Sequence, residues 1–386
     1  KTRGLSNYSF FKRAQNKHLN LDIKMPELYV EPMTDRWTCF MCKKVATRKK
    51  KLLKCAGCEA ITYCSRDCQE QDWARHRYNC VPVMVAEIPG KGRGLVAARE
   101  IKKGEQIFIE NQSIKLRIRL TVRGNYSVDS VDEDFMKSLK DQIENLPTEA
   151  KSLFFQLKTN PKSEDYPPFL ARAGFGASDI NIARLFLDNS KGHHKEANSL
   201  VLRLNTELIN HSCSPNAVNE VDSTDDESEL RAIKDICKGE EVTICYVGDF
   251  KRFGSISRKR KSGLKKNVGF DCKCNVSLGK VPGQEKLMKK LIELHSKLDP
   301  NPSDWRREAS IRDKIVDVFL DLDIGHPCDK FNALKKLVEA AQLANDPILL
   351  RKALDKCRKA AEVTTLKVIQ QYYEIMERCK CFKEKK

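Results

Sequence analysis

The sequence has no uninterrupted apolar run near the roughly 18 residues that a membrane span requires, and no secretory signal opens it. A membrane partner is therefore not expected, and neither is a disulfide-stapled exported domain. The chain begins at Lys1 and not at a methionine, so a segment upstream stays open. Acidic balance is also lacking: 71 Lys and Arg stand against 53 Asp and Glu, a formal net charge of +18. That excess favours acidic partners such as nucleic acid or an acidic protein surface. Disorder is excluded by content, since 40% of the 386 residues are hydrophobic. A chain of this length buries a sizeable core in two or three domains of about 100–200 residues.

The charge is clustered. "RKKKLLK" (48–54) and "RKRK" (258–261) are basic, and "DSTDDESE" (222–229) is an acidic loop. A basic run reads either as a solvated face or as a nuclear-import or weak nucleic-acid patch.

Cysteine is abundant where export signals are absent, and reduced compartments favour metal over disulfides. Seven of the sixteen cysteines fall between 39 and 80. Their spacing is C-x2-C, twelve residues, C-x2-C, five residues, C-x3-C, seven residues, H-x3-C. Eight soft ligands result: Cys39, Cys42, Cys55, Cys58, Cys64, Cys68, His76 and Cys80. Two tetrahedral zinc ions require eight, and ligands two or three residues apart let one turn of backbone present both to one metal. The stretch has few large apolar residues, so it is expected to fold only with metal bound.

After the finger the texture becomes β-rich. "VPVMVAEIPGKGRGLVAAREIKKGEQIFIE" (81–110) places Gly90, Gly92 and Gly94 among apolar stretches, then a "KKGE" turn, then "QIFIE" as a second strand. Glycines one residue apart let backbone approach a ligand, or simply make a hairpin. A matching strand, "KGE" turn and strand recur in "LRAIKDICKGEEVTICY" (230–246). Just ahead of it, "ELINHSCSPNAV" (207–218) sets an amide, an imidazole, a hydroxyl and a thiol in succession. By itself this reads as a polar turn or helix cap carrying a buried cysteine, or as a site.

The finger, with its "YCS" and "CQ" and the spacing from Trp73 to His76, resembles the MYND zinc finger. That resemblance implies interleaved pairing, Cys39, Cys42, Cys64 and Cys68 on one zinc and Cys55, Cys58, His76 and Cys80 on the other. It also implies a protein-interaction module that takes short proline-containing peptides of regulatory proteins. "GKGRGL", "NHSCSPN", "RAIKDICKGEEVTICY" and "GFDCKC", in that order, resemble a SET domain. Together the two identify the chain as a member of the SET and MYND domain family of protein-lysine methyltransferases, in the arthropod-type arrangement with the finger ahead of the glycine motif.

The resemblance implies an α+β fold: a zinc-stabilised MYND finger (39–80), a β-rich SET domain (81–246) with a pseudoknot and a helical insertion at about 111–200, a post-SET segment (247–280) and an all-α C-terminal region (281–386), after an N-terminal segment (1–38). S-adenosylmethionine would be bound by Lys91, Gly92, Arg93, Gly94, Asn210, His211, Tyr246 and Phe270, with Tyr246 catalytic. Ser212 and Pro215 would shape the turn between. Phe270 would stack on the adenine, and Asn189 stands near a further cofactor-binding asparagine. Cys213, Cys272 and Cys274 would hold a third zinc.

Two positions depart from the family pattern. Val268 fills the slot of a second channel tyrosine, and Ser277 that of a fourth zinc cysteine, for which water or Cys379 or Cys381 would substitute.

In "LPTEAKSLFFQL" (146–157) a helix is expected with Thr148 as its cap, and another in "INIARLFLDNS" (180–190). Four more helical patterns follow between 285 and 376, without a clean 34-residue period, so stacked helix pairs and a plain bundle both stay open.

Two functions follow. One is S-adenosylmethionine-dependent methylation of protein lysines, histone tails among them. The other is a SET scaffold, weak or inactive, that serves transcriptional regulators through its finger. A monomer in nucleus and cytoplasm fits either.

Overall fold

The computed structural model describes residues 38–47, 52–77, 79–111, 113–117, 134–159, 175–192, 199–221, 227–246, 262, 264–265, 269–322 and 327–361. The basic cluster at 258–261, Val268, Cys379, Cys381 and the end of the last helical pattern lie outside them, as do 48–51 and 222–226.

The finger has almost no apolar core of its own. Strand β1 (Leu53–Lys54) pairs antiparallel with β2 (Thr62–Tyr63), and helix α1 (Arg66–His76) follows. Ser65 starts the helix, its hydroxyl accepting from the Cys68 amide at 3.3 Å, which satisfies one of the free N–H groups of the first turn. The buried cluster here is Cys39, Cys55, Cys58, Ile61 and Tyr63. Only two of those five are large, so side-chain burial alone holds little, and Tyr63 spends its hydroxyl on Asp72 at 2.7 Å.

The central region is built on a pair of twin bends. Strands β3 (Val83–Ile88) and β4 (Gly92–Ala97) form a hairpin whose turn carries Gly90 at φ 73°. Then β5 (Gln106–Glu110) leaves for a different sheet. The sequence pattern of two strand–turn–strand units is correct in outline, but neither unit is a hairpin. Strand β5 pairs with β11 (Ser228–Ala232), which pairs with β10 (Ala217–Val221), while β12 (Glu241–Ile244) pairs with β4. The two units therefore run antiparallel to each other along their whole length, joined midway by the Ile101 to Ile236 bridge.

Both bends use the same device. Gly104 and Gly239 take φ of 84° and 82°, a region open to glycine at little cost. Glu105 and Glu240 each return a carboxylate to the amide three residues earlier, at Lys102 and Cys237, both at 3.0 Å.

Strand β9 (Asn210–His211) completes the four-stranded sheet β3-β4-β12-β9 and runs parallel to β12. The insertion between β5 and β9 is not purely helical. Strand β6 (Ile114–Arg117) joins β8 (Ser199–Leu202) and β7 (Lys191–Gly192) in a third sheet, because Ile114 and Leu116 alternate inward. Helices α2 (Phe135–Glu144), α3 (Thr148–Phe155) and α4 (Ala177–Asn189) lie between. Thr148 is the first helical residue and makes no cap hydrogen bond; Pro147 precedes it at the cap position. Leu139, Phe154 and Phe186 from the three helices share one core with Leu95, Ile101, Phe108 and Leu202 of the sheets.

After residue 280 come α5 (Gln284–Ser296), α6 (Trp305–Asp321), α7 (Pro327–Leu343) and α8 (Pro347–Ala361), each packed on the one before. The first of these shares a core with Cys213 and Cys272, through Met288 and Leu291.

One buried acid governs the approach to β9. Glu110 accepts from the amide and side chain of Asn205 (2.7 and 3.0 Å) and from the amide and hydroxyl of Thr206 (2.8 and 2.7 Å). Burial pushes its carboxyl up, and these four donors pull it back. They also fix the 3₁₀ turn Thr206–Leu208 that leads into Asn210. Replacing Glu110 by Ala strands buried donors that each cost about 1–3 kcal/mol. Glu110→Ala is expected to lower stability by about 3 kcal/mol or more, read as a fall in the urea midpoint at unchanged slope; a midpoint equal to wild type would remove this role.

Candidate functional site

Three groups of soft side chains converge. Cys39, Cys42, Cys64 and Cys68 form one, and Cys55, Cys58, His76 and Cys80 the second, the ligand atoms of each lying within 4.8 Å of one another. This is the interleaved grouping that the MYND resemblance implies. Local structure produces it: Cys55 and Cys58, which follow β1, lie beside His76 at the end of α1, while Cys68 in the first turn of the same helix joins the other quartet.

The separations fit a metal. A tetrahedron with Zn–S of about 2.3 Å has edges of about 3.8 Å. The sulfurs of Cys42 and Cys64 are 3.5 Å apart, those of Cys64 and Cys68 3.6 Å, and those of Cys55 and Cys80 3.8 Å. His76 presents Nε2 to Cys55 and Cys58 at 3.4 and 3.6 Å. Proton affinities are split within each group. Burial raises that of Cys39, but amide and thiol hydrogen bonds around Cys42 outweigh it and hold it down to about 6. Hydrogen bonds with Cys42 and Cys68 push Cys64 up to about 12. His76 is raised to about 9, the sulfurs of Cys55 and Cys58 overcoming its burial. Crowded thiols that cannot all keep or all lose their protons are resolved by a cation that displaces them.

The third group lies at the junction of sheet and helices. Cys213 is 3.9 Å from Cys272, sulfur to sulfur. Ser277 is only 2% exposed and sets its hydroxyl 3.3 Å from the Cys213 sulfur and 3.5 Å from that of Cys274. The serine thus stands in space among the three thiols as it does in sequence. His211 Nε2 is 3.4 Å from Cys213, and the set whose ligand atoms lie within 4.8 Å of one another here is His211, Cys213 and Cys272, not the Cys213, Cys272 and Cys274 that the resemblance implies.

Beside this group the glycine strand meets β9 and β12. Asn210 donates its amide hydrogens to the Arg93 carbonyl (3.1 Å) and Glu241 Oε1 (3.0 Å), which leaves its side-chain carbonyl oxygen without a hydrogen bond among the described residues. Gly94 permits this, since a Cβ there would lie 2.6 Å from the Asn210 amide nitrogen and 2.7 Å from Ile88. Gly92 takes φ of 79°, and a Cβ on it would meet the Lys158 ammonium. Lys91 pairs with the other oxygen of Glu241 at 2.5 Å. Arg93 donates to the side chain and carbonyl of Gln156 at 2.8 and 2.6 Å. Glycine motif and "NHSC" motif are therefore stitched together through Glu241.

Tyr246 closes the site. Its hydroxyl donates to the Ile209 carbonyl at 2.6 Å, and its ring lies 5.3 Å from that of His211 and 6.3 Å from Phe270. The residue as a whole is 39% exposed, yet burial at the hydroxyl end, reinforced by Glu207 and Glu241, pushes its phenol well above the ordinary range. Phe270 is half-buried, its ring 5.9 Å from that of His211. The residues present thus suit S-adenosylmethionine: a glycine cradle, an open amide oxygen and an aromatic plate. Asn189 spends its amide on the carbonyls of Lys158 (3.0 Å) and Leu185 (2.8 Å), tying the end of α4 to the segment after α3.

Sequence reasoning missed Glu241, Asn216 and Ile209. The doubled acid in "KGEE" was the available signal for the first: Glu240 closes the turn, and Glu241 is left for Lys91 and Asn210. Asn216, in "SPN", donates to Glu240 and the Glu241 carbonyl and accepts from the Thr243 amide at 2.8 Å. Ile209 acts through its carbonyl, which no residue type announces.

A MYND finger profile matches residues 39–80 and a SET domain profile residues 92–247. The mouse histone-lysine N-methyltransferase Smyd1 is 27% identical over 284 residues, 68% of this chain and 51% of that protein. The human N-lysine methyltransferase SMYD2 is 24% identical over 275 residues, 69% and 56% respectively. The Arabidopsis thaliana histone-lysine N-methyltransferase ASHR1 is 26% identical over 244 residues, 59% and 44%. The chain spans about half the length of these curated relatives. With a zinc-type cysteine finger leading into a strand-built SET core and relatives named as lysine methyltransferases, the chain belongs to the SET and MYND domain family.

Proposed function

We propose that the protein methylates lysine side chains of other proteins, with Tyr246 as the catalytic residue. The observation that carries this reading is the Tyr246 hydroxyl, fixed on the Ile209 carbonyl beside Asn210, whose amide is anchored to the glycine strand. S-adenosylmethionine, when bound, supplies a methyl group on a sulfonium centre. The rest of the work falls to the chain. A lysine amine has a solution pKa of about 10.4, so about one in 2,500 is neutral at pH 7, a handicap of about 4.6 kcal/mol. An apolar approach lined by the Tyr246 and Phe270 rings lowers that pKa by desolvation, and the lysine proton leaves to solvent before attack. The protonated phenol and the Ile209 carbonyl then orient the amine and favour the charge that develops on it.

Lys91, Gly92, Arg93, Gly94, Asn210, His211 and Phe270 hold the cofactor in this reading. Three zinc sites support the structure: Cys39, Cys42, Cys64 and Cys68; Cys55, Cys58, His76 and Cys80; and Cys213, Cys272 and Cys274 with the fourth position at the Ser277 side. Zinc, when bound, supplies crosslinks that the small apolar core of the finger does not. The finger recruits proline-containing peptides, with Trp73 and Met41 exposed on its surface as apolar contacts. No helix among the described residues is long and apolar enough to cross a membrane. The basic excess fits nuclear and cytoplasmic work on acidic partners, chromatin and its transcriptional regulators among them, with weak nucleic-acid contact and a monomeric state. The divisions at 38, 80, 246 and 280 serve as domain boundaries in the same reading.

The test is transfer of labelled methyl from S-adenosylmethionine to a protein mixture containing core histones. Tyr246→Phe should lower transfer at saturating cofactor by about 10²–10³, the usual cost of one positioned hydroxyl. Turnover that survives in a folded Tyr246→Phe protein would remove Tyr246 from catalysis. No turnover by wild type on any protein tried would leave the scaffold reading in its place. Asn210→Ala should weaken cofactor binding at least tenfold by calorimetry, since a hydrogen bond to a charged ligand contributes about 1.5–3 kcal/mol.

Metal content is a separate check. Elemental analysis should find two zinc ions held firmly and a third weakly, and Ser277→Cys should raise retention of the third after dialysis against chelator. Fewer than two in soluble, folded protein would overturn the finger assignment.

A further inference from the structure

Lys158 brings a cation to the glycine strand from outside the SET motifs. Helix α3 ends at Phe155, and the three residues after it, Gln156, Leu157 and Lys158, are held against β4 and the core. Arg93 donates to the Gln156 side chain and carbonyl at 2.8 and 2.6 Å, and Leu157 packs on the central core. Asn189, the last residue of α4, donates to the Lys158 carbonyl at 3.0 Å. The backbone is thus anchored at each of the three residues, and the Lys158 side chain is laid on Gly92. A Cβ at Gly92 would lie 2.2 Å from Nζ and 3.3 Å from Cε, so the ammonium occupies the volume that a side chain there would need.

Charge around this glycine is unbalanced. Lys91, Arg93 and Lys158 are three cations, and the acid that meets them, Glu241, is already spent. Its Oε2 accepts from Lys91 at 2.5 Å and its Oε1 from the Asn210 amide at 3.0 Å. Among the described residues no carboxylate pairs with Arg93 or Lys158, and Arg93 gives its hydrogens to neutral acceptors. Lys158 is exposed, so its ammonium is open to a ligand. An ammonium folded back onto backbone beside two other cations suffers a repulsion that a bound anion would offset.

S-adenosylmethionine has one anionic group, the carboxylate of its amino-acid end; its sulfonium and its amine are cationic. Of its parts, that carboxylate alone is attracted by such a cluster.

We propose that Lys158 is a further cofactor-binding residue, its ammonium on Gly92 taking the carboxylate of S-adenosylmethionine. The assignment rests on the cofactor reading given above and adds to it a residue that neither the glycine motif nor "NHSC" contains. It also changes the part of Asn189, whose amide hydrogens go to the Lys158 and Leu185 carbonyls. Asn189 acts through Lys158 as a positioning residue, not on the cofactor itself.

Two ligands and two variants isolate the pair. S-adenosylhomocysteine keeps the carboxylate, and its decarboxylated analogue lacks that group alone. Lys158→Met keeps the stem without the charge, and Lys158→Arg keeps the charge. Affinities are measured by calorimetry on the full chain, with zinc content and thermal midpoint checked for each variant. Lys158→Met should weaken S-adenosylhomocysteine by about tenfold or more and leave the decarboxylated analogue within about twofold of wild type. Lys158→Arg should stay within about threefold of wild type for both ligands.

Equal losses for the two ligands would make Lys158 a structural residue and overturn the proposal, and so would unchanged affinity of Lys158→Met for S-adenosylhomocysteine. Either result leaves the cofactor reading intact, because wild type still binds; a wild type that binds neither ligand would overturn both. None of these readouts needs turnover. If the enzyme turns over, Lys158→Met should raise KM for S-adenosylmethionine by about tenfold with kcat little changed. A fall in kcat at unchanged KM would overturn the carboxylate assignment.

Discussion

Everything in the site hangs on two rungs of parallel ladder, Thr243 opposite Asn210 and Ile244 opposite His211. Parallel neighbours cannot be joined by a tight turn, so the chain must travel through β10 and β11 and back before β12 can lie beside β9. That detour sets "NHSC" next to the end of "EVTICY", and so sets an amide, an imidazole and a phenol within reach of one another. So short a contact does not hold itself. It is clamped by Asn216 on the β12 side, by Glu110 beneath the turn that enters β9, and by Glu241 across to the glycine strand. Each hydrogen bond contributes about 0.5–1.5 kcal/mol net. Their value lies in the cost of leaving any of them unmade.

Legibility in the sequence followed the reach of each interaction. The eight ligands of the finger were readable from spacing within 42 residues and their grouping only from the MYND resemblance, and the structure gathers the same two quartets. The glycines, "NHSC" and Tyr246 were singled out only through family resemblance; in the structure the rings of His211, Tyr246 and Phe270 touch and Asn210 bonds the glycine strand. The sheet topology was not readable. Two "KGE" turns look like two hairpins because local composition reports a bend and says nothing of which strand lies across from it; here the partner of each arm is the other unit. The strands of the insertion were missed for a similar reason, since β6 is four residues long and its partner β8 is more than 80 residues away. Glu110 was invisible because a buried acid differs from a surface acid only in surroundings supplied by residues 205 and 206.

The two kinds of core divide the labour of stability. The central sheets and helices α2 to α4 share one continuous apolar interior that needs no metal to exist. Cysteines replace most of that interior in the finger, and the junction with the C-terminal helices mixes both, Cys213 and Cys272 packing with Leu291 and Phe319. Among the described residues the finger is joined to the sheets by Arg99 on the Gly57 carbonyl, by Lys238 on Glu59 and by Ala60, which packs against the cluster of Met84, Val96 and Ala98.

The twin bends also bear on how the chain reaches this state. Strands β4 and β12 are separated by more than 140 residues and β5 and β11 by more than 110, yet they pair along their length and share the Ile101 to Ile236 bridge. Closing loops of that size costs chain entropy before any contact offsets it, and topologies dominated by such pairings fold slowly. The finger is local and can organise as soon as metal reaches it, while the sheet registers wait for residues 228–244. During synthesis the N-terminal arm, with its apolar β4 and β5 edges, therefore stands exposed until its twin has emerged.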